Sequence, residues 1–334
     1  MSFDWFKGKP GTPPATIAQQ IKSIDRTKFF GPDHYDAEPG LADAVNTALL
    51  LAQPLLVSGE PGTGKTQLAE KMALELGLPL FKFETRSTSV AQDLFYSFDH
   101  VARFQAAQAG TDKAALDPLR FIEFGALGRA IVQSLPKEDA AKLFPEGTLP
   151  EWYSGPNRAI VLVDEIDKAP SDFPNDALNE FERHYFRIRE VGGREVRAAE
   201  ALRPVIVITS NSEKQLPDAF LRRCVFFHLQ PIDAERLRRI VLSRLAGESL
   251  KVQSGRLLDD ALALFVNLRS PGLDLRKRPS TSEFLGFVAA LASEGASPDQ
   301  ALASELALRH LATLVKAPED QEAARRLVLN SDRR

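Results

Sequence analysis

The apolar positions of this 334-residue chain fall into two regimes. Up to about residue 230, short apolar runs alternate with stretches of helical spacing; beyond it only helical spacing remains. The runs Pro54-Leu55-Leu56-Val57, Ala159-Ile160-Val161-Leu162-Val163 and Val205-Ile206-Val207-Ile208 have no polar face, as expected of strands buried on both sides of a parallel sheet. Leu78-Pro79-Leu80-Phe81-Lys82-Phe83-Glu84 alternates like a further strand, and 225–229 follows as another.

Helices are predicted between these runs. Leu41, Ala44, Val45, Ala48, Leu49 and Ala52 share one face, ended by Gln53-Pro54; Leu68, Ala69, Met72, Ala73 and Leu76 share another, ended by Gly77. Residues 85–158 are far more than a crossover between parallel strands requires, and they read as helices around 89–108 and 118–135 with a poorly patterned stretch at 136–157. Phe173, Ala177, Leu178, Phe181 and Tyr185 mark a helix, and 186–196 alternates about Gly192-Gly193 as a projecting hairpin. A helix at 217–221 ends in Arg222-Arg223, where two arginines would ordinarily be solvated partners of the helix dipole.

From Pro231 onward four helices are expected, around Leu237 to Leu245, Leu257 to Leu268, Phe284 to Leu291 and Leu302 to Leu314. Ser280 with Glu283 forms a capping box at the start of the third. The resulting division is a flexible lead-in at 1–28, an α/β domain at 29–230 with an inserted helical region at about 86–157, and a helical domain at 231–334. Residues 30–35 are a turn-rich link, either lying across a bound ligand or forming a surface loop.

Composition narrows the function classes. The net charge of −3 gives no support for general nucleic-acid attraction. No segment approaches the roughly 20 apolar residues of a membrane helix, and the first residues lack the apolar core of a signal peptide, so a cytoplasmic protein is expected. The one cysteine, Cys224, lies in an apolar stretch and reads as a buried small hydrophobe. The five histidines are scattered without zinc spacing, so no zinc site is expected.

The candidate chemistry begins at Gly59-Glu60-Pro61-Gly62-Thr63-Gly64-Lys65-Thr66. This fits a phosphate-binding loop: glycines let backbone N–H groups close on phosphate oxygens, Lys65 reaches the β- and γ-phosphates, and the Thr66 hydroxyl ligates magnesium. A strand precedes the loop and a helix follows it, so the helix N-terminus also faces the phosphates. Asp164 and Glu165 end the 159–163 strand, at the sheet edge where ligands collect; Asp164 suits the magnesium shell and Glu165 the polarisation of an attacking water. Asn211, at the tip of the 205–208 strand, either bonds the γ-phosphate or the water, or closes an Asx turn.

With these residues, the chain resembles the AAA+ ATPases, and more narrowly their MoxR-type group, from about residue 30 to residue 292. Walker A is 59–66, Walker B is Asp164-Glu165 within Asp164-Glu165-Ile166-Asp167-Lys168-Ala169-Pro170, and sensor 1 is Asn211 within Thr209-Ser210-Asn211. Leu216-Pro217-Asp218-Ala219-Phe220-Leu221-Arg222-Arg223 resembles the arginine-finger helix, and Arg278-Pro279-Ser280-Thr281-Ser282-Glu283 is also similar. The resemblance implies a five-stranded αβα core with parallel sheet order 5-1-4-3-2, a helix-2 insert after the second strand, a pre-sensor-1 hairpin at 186–196, and an all-α lid. It also implies ATP and Mg2+ as cofactors, hexameric rings, and chaperone-like remodelling of a protein client, with a von Willebrand factor A domain protein as a partner. Arg223, or else Arg222, would complete the site of the next subunit. The sensor-2 motif departs from the pattern, because Ser280 follows Pro279 where relatives carry arginine; Arg278 or Lys277 could take that role. Two other readings are a nucleic-acid motor and a nucleotide-switched assembly module with negligible turnover.

Overall fold

The computed structural model describes residues 31–109, 116–211, 214–245 and 253–331. The lead-in at 1–28, Phe30 and the terminal Arg333-Arg334 lie outside the described residues. The chain divides into two compact units. One comprises Ala37–Glu60 and Gly64–Leu229; the other, among the described residues, takes in 31–36, Pro61–Thr63 and the chain from Gln230 onward.

The first unit opens with α1 (Leu41–Leu51), β1 (Leu55–Gly59), α2 (Lys65–Leu76) and β2 (Leu80–Glu84). The insert comes next: β3 (Tyr96–Phe98), α3 (His100–Gln108), β4 (Ile122–Phe124), α4 (Ala126–Gln133) and α5 (Lys137–Ala141). After it run β5 (Ile160–Asp164), α6 (Phe173–Asp176), α7 (Leu178–Arg183), β6 (Tyr185–Ile188), β7 (Arg194–Arg197), β8 (Val205–Ser210), α8 (Asp218–Leu221) and β9 (Val225–Leu229).

The main sheet is parallel, in the order β2-β5-β8-β1-β9. Counting only its own five strands along the chain, this is the expected 5-1-4-3-2. Burial follows position: β1 and β8 are buried throughout, and β5 is buried up to its last residue. The edge strands β2 and β9 instead alternate with exposure, because each has only one neighbour and partial cover. Register levels Ser58 with Ser210, and Glu84 with Asp164, so the carboxyl ends of the strands form one edge.

The insert differs from the all-helical expectation. The helix around 89–108 is limited to α3, preceded by a 3-10 turn at Ala91–Leu94 and by β3; the helix around 118–135 divides into a 3-10 turn at Pro118–Phe121, then β4, then α4. β3 and β4 pair antiparallel, with Tyr96 opposite Phe124 and Phe98 opposite Ile122. Tertiary packing decides this: Leu94, Phe95, Tyr96 and Phe124 are all buried, whereas α3 buries none of its residues. Gly128 of α4 allows the close approach, since a Cβ there would lie 1.9 Å from the Phe95 carbonyl oxygen.

The hairpin at 186–196 forms as β6 and β7, turning through Gly192 and Gly193 at φ 67° and 72°. It packs down rather than projecting freely. Phe186, Ile188 and Val196 are buried, and the Phe186 ring lies 5.5 Å from Phe95, 6.0 Å from Tyr96 and 6.1 Å from Phe124 between centroids. The Tyr96 hydroxyl donates to Glu190 Oε2 at 3.0 Å and accepts from the Arg189 amide at 3.1 Å. The hairpin is therefore anchored to the insert by an aromatic cluster with a polar clasp.

The second unit is helical among its described residues: α9 (Ala234–Leu245), α10 (Arg256–Arg269), α11 (Thr281–Ser293), α12 (Ser304–His310) and α13 (Pro318–Ser331). The last goes beyond the four helices expected; its Ala324 and Val328 join the core formed by Leu237, Leu262, Phe284 and Leu291. The capping box at α11 is present, with the Ser280 amide donating to Glu283 Oε2 at 2.7 Å. Residues 31–36 pack on α9, where His34 Nδ1 lies 3.0 Å from Ser243 Oγ and Arg236 donates to the Asp36 carbonyl at 2.6 Å. Among the described residues, no helix is long and apolar enough to cross a membrane.

Candidate functional site

The loop after β1 leaves the sheet at Gly59 and enters α2 at Lys65. Gly62 and Gly64 take φ values of 81° and 93°, which side chains rarely adopt, so the turn needs glycine at both positions. Gly64 caps α2 without a side-chain hydrogen bond, and the positive end of this 12-residue helix follows the loop directly.

Lys65 is only 6% exposed, and its Nζ donates to the carbonyls of Gly59 at 2.8 Å and Glu60 at 2.9 Å. An ammonium carries three donors, and these carbonyls occupy two. Burial pulls the ammonium below the usual lysine range, while the carboxylates of Asp167, Asp164, Glu165 and Glu60 act in the opposite sense. Beside it, Thr66 Oγ1 donates to Asp164, 3.1 Å from each carboxylate oxygen.

The ends of β5 and β8 interlock. Thr209 Oγ1 lies 2.5 Å from Asp164 Oδ1 and accepts the Glu165 amide at 2.8 Å. Glu165 has the left-handed backbone φ 55°, ψ 52°, which non-glycine residues take up mainly where surroundings enforce it. Its carboxylate accepts from Asn211 Nδ2 at 3.0 Å and is ion-paired with Lys168. The Asn211 amide in turn lies 3.2 Å from both oxygens of Asp167, which is 2% exposed.

Phosphate-loop residues, Asp164, Glu165 and Asn211 thus meet at the carboxyl edge of the sheet, as the sequence pattern anticipates. Sequence reasoning missed Thr209 and the burial of Asp167. A usable signal existed for the first: Thr209 directly follows the apolar run of a buried strand, and a buried hydroxyl requires partners.

A magnesium ion fits the donor set. Thr66 Oγ1 and an Asp164 oxygen, both hard ligands, are separated by 3.1 Å, close to the roughly 3 Å between adjacent ligands of an octahedron with metal–oxygen distances near 2.1 Å. Among the described residues no group of three or more His, Cys, Asp or Glu could hold a metal.

Arg223, just past α8, pairs with Glu182 of α7 at 2.5 Å and donates to the Ala219 carbonyl at 3.1 Å; Arg222 is exposed. Arg278 is exposed in the helical unit, in a loop whose Arg276 and Lys277 amides are held by the Asp320 carboxylate at 3.0 Å each. Cys224 packs against the core, and burial pushes its thiol up to about 12.

The family profile of the AAA domain (dynein-related subfamily) matches residues 54–224. No curated protein matches the chain. Among solved structures, a proline-to-glycine mutant of RuvB from Thermotoga maritima is similar, with 15% sequence identity and a TM-score of 0.46 over 81% of this chain and 67% of that one.

Proposed function

The chain belongs to the AAA domain family, in its dynein-related subfamily, and from that premise we propose a magnesium-dependent ATPase of the MoxR type, assembling as a ring and remodelling a protein partner. An AAA domain implies ATP binding and hydrolysis. The observation that supports the finer reading is the convergence of Thr66, Asp164, Glu165 and Asn211 beside the N-terminus of α2.

In this reading the amides of residues 59–66 and the Lys65 ammonium bind the phosphates, and Thr66 and Asp164 hold magnesium. When bound, the ion neutralises charge on the β- and γ-phosphate oxygens. Glu165 orients and polarises the attacking water, Asn211 senses the γ-phosphate, and Arg223, with Arg222 as second choice, enters the site of the neighbouring subunit. Arg278 or Lys277 takes the sensor-2 position. The client is a protein, reached alone or with a von Willebrand factor A domain partner.

The test is Glu165→Gln. Phosphate release should fall to background while binding of a fluorescent ATP analogue stays near wild type; near-normal hydrolysis would remove Glu165 from its role.

A further inference from the structure

We infer that Thr209 is a positioning residue of this site, whose hydroxyl locks the Asp164 carboxylate and the Glu165 backbone into one unit. The inference rests on the ATPase reading and adds to it the element that couples the metal-holding carboxylate to the water-polarising one.

Thr209 is fully buried near the end of β8, whose first four residues are apolar. Valine would fill the same space with no polar atom to satisfy, so the hydroxyl must be matched by partners. Both of its capacities are used: the O–H donates to Asp164 Oδ1 at 2.5 Å, and the oxygen accepts the Glu165 amide at 2.8 Å. The donated bond falls in the short range typical of a hydroxyl on a carboxylate.

Strand register places Thr209 for this role. Val163 is level with Ile208, so the next residue of β8 faces the point where β5 ends and the chain turns. There Glu165 adopts its left-handed conformation, and its amide is directed to the Thr209 oxygen. One hydroxyl therefore restrains the rotation of Asp164 and holds the turn that aims Glu165 toward Asn211. Asp167 acts in the reverse direction, from the turn after β5 onto the Asn211 amide, so each strand end holds the other.

The consequence is a specific pattern of loss. Thr209→Val removes both bonds at nearly constant shape, so that of the two hydroxyls on Asp164 only that of Thr66 remains. Groups that orient a metal-holding carboxylate typically matter by about 10- to 100-fold in metal affinity or activity.

The experiment compares wild type, Thr209→Val and Thr209→Ser in three readouts: Mn2+ affinity in the presence of ADP by electron paramagnetic resonance, ADP affinity in EDTA, and kcat with KM for ATP. Thr209→Val should weaken Mn2+ binding and lower kcat by about 10- to 100-fold, with ADP affinity in EDTA within about twofold of wild type, and Thr209→Ser should restore most of both. ADP binding in EDTA also reports folding, and Thr209→Ala replaces the valine variant if that one does not fold, with the same losses expected. Wild-type Mn2+ affinity and kcat in the hydroxyl-free variant would overturn the inference alone, as would equal impairment by serine. A wild type that binds ADP but neither binds Mn2+ nor turns over ATP would overturn the ATPase reading, and this inference with it.

Discussion

Arg223 Nε lies 2.5 Å from Glu182 Oε1, so the arginine proposed to act on a neighbouring subunit is paired within its own. Both side chains are about two-fifths exposed, and a pair of this kind contributes at most about 1 kcal/mol. Engagement across a ring would exchange one carboxylate partner for a phosphate. Glu182→Ala should therefore keep full activity and lower the protein concentration giving half-maximal hydrolysis by about two- to fivefold. A loss of activity in this variant would mean that the pair itself is required.

His184 provides a pH signature unrelated to catalysis. It is 3% exposed, and burial, with Arg203 and Arg158 acting in the same sense against Glu200, pushes its imidazole down to about 4. Between the ordinary value of 6.5 and about 4 the unfolded chain binds a proton that the folded chain does not, so stability falls as pH falls through that window. The full effect is about 3 kcal/mol at the lower end. Urea unfolding at pH 4.5 and 7.5 should show that decline, and His184→Asn, which tolerates the left-handed φ of 48° and does not titrate, should flatten it.

Phe186 should carry the hairpin. Its ring meets Phe95, Tyr96 and Phe124, and truncating a buried phenylalanine typically destabilises by about 3–5 kcal/mol. Phe186→Ala should lower the urea midpoint accordingly. Arg197→Ala, which removes a guanidinium 4.7 Å from the Tyr185 ring of the same hairpin, should cost only about 0.5–1 kcal/mol and move the midpoint correspondingly less.

Legibility of this chain tracks how local each determinant is. The run 159–163 announces a buried strand because burial on both faces leaves no polar position, and β5 is central. Ser280 and Glu283 cap α11 through contacts three residues apart, which the sequence displays directly. β3 and β4 span three residues each, too few for a period to emerge, and they pair across more than twenty intervening positions. Asp167 sits in an acidic cluster that resembles a solvated turn, yet it is buried because the β8 terminus closes over it. The Glu182–Arg223 pair has no local signature, since α7 and α8 are brought together only by packing of the type seen between Phe181 and Phe220, whose centroids are 6.4 Å apart.

The most direct measurement is phosphate release from ATP per subunit, with and without magnesium, across a range of protein concentrations, for wild type and Arg223→Ala with particle mass followed in parallel. The account predicts magnesium-dependent turnover whose specific activity rises as a ring forms, and an Arg223→Ala protein that assembles but is slower by about 10³-fold or more. Activity that is independent of concentration and indifferent to Arg223 would contradict the shared site, and the absence of magnesium-dependent phosphate release at any concentration would contradict the ATPase itself.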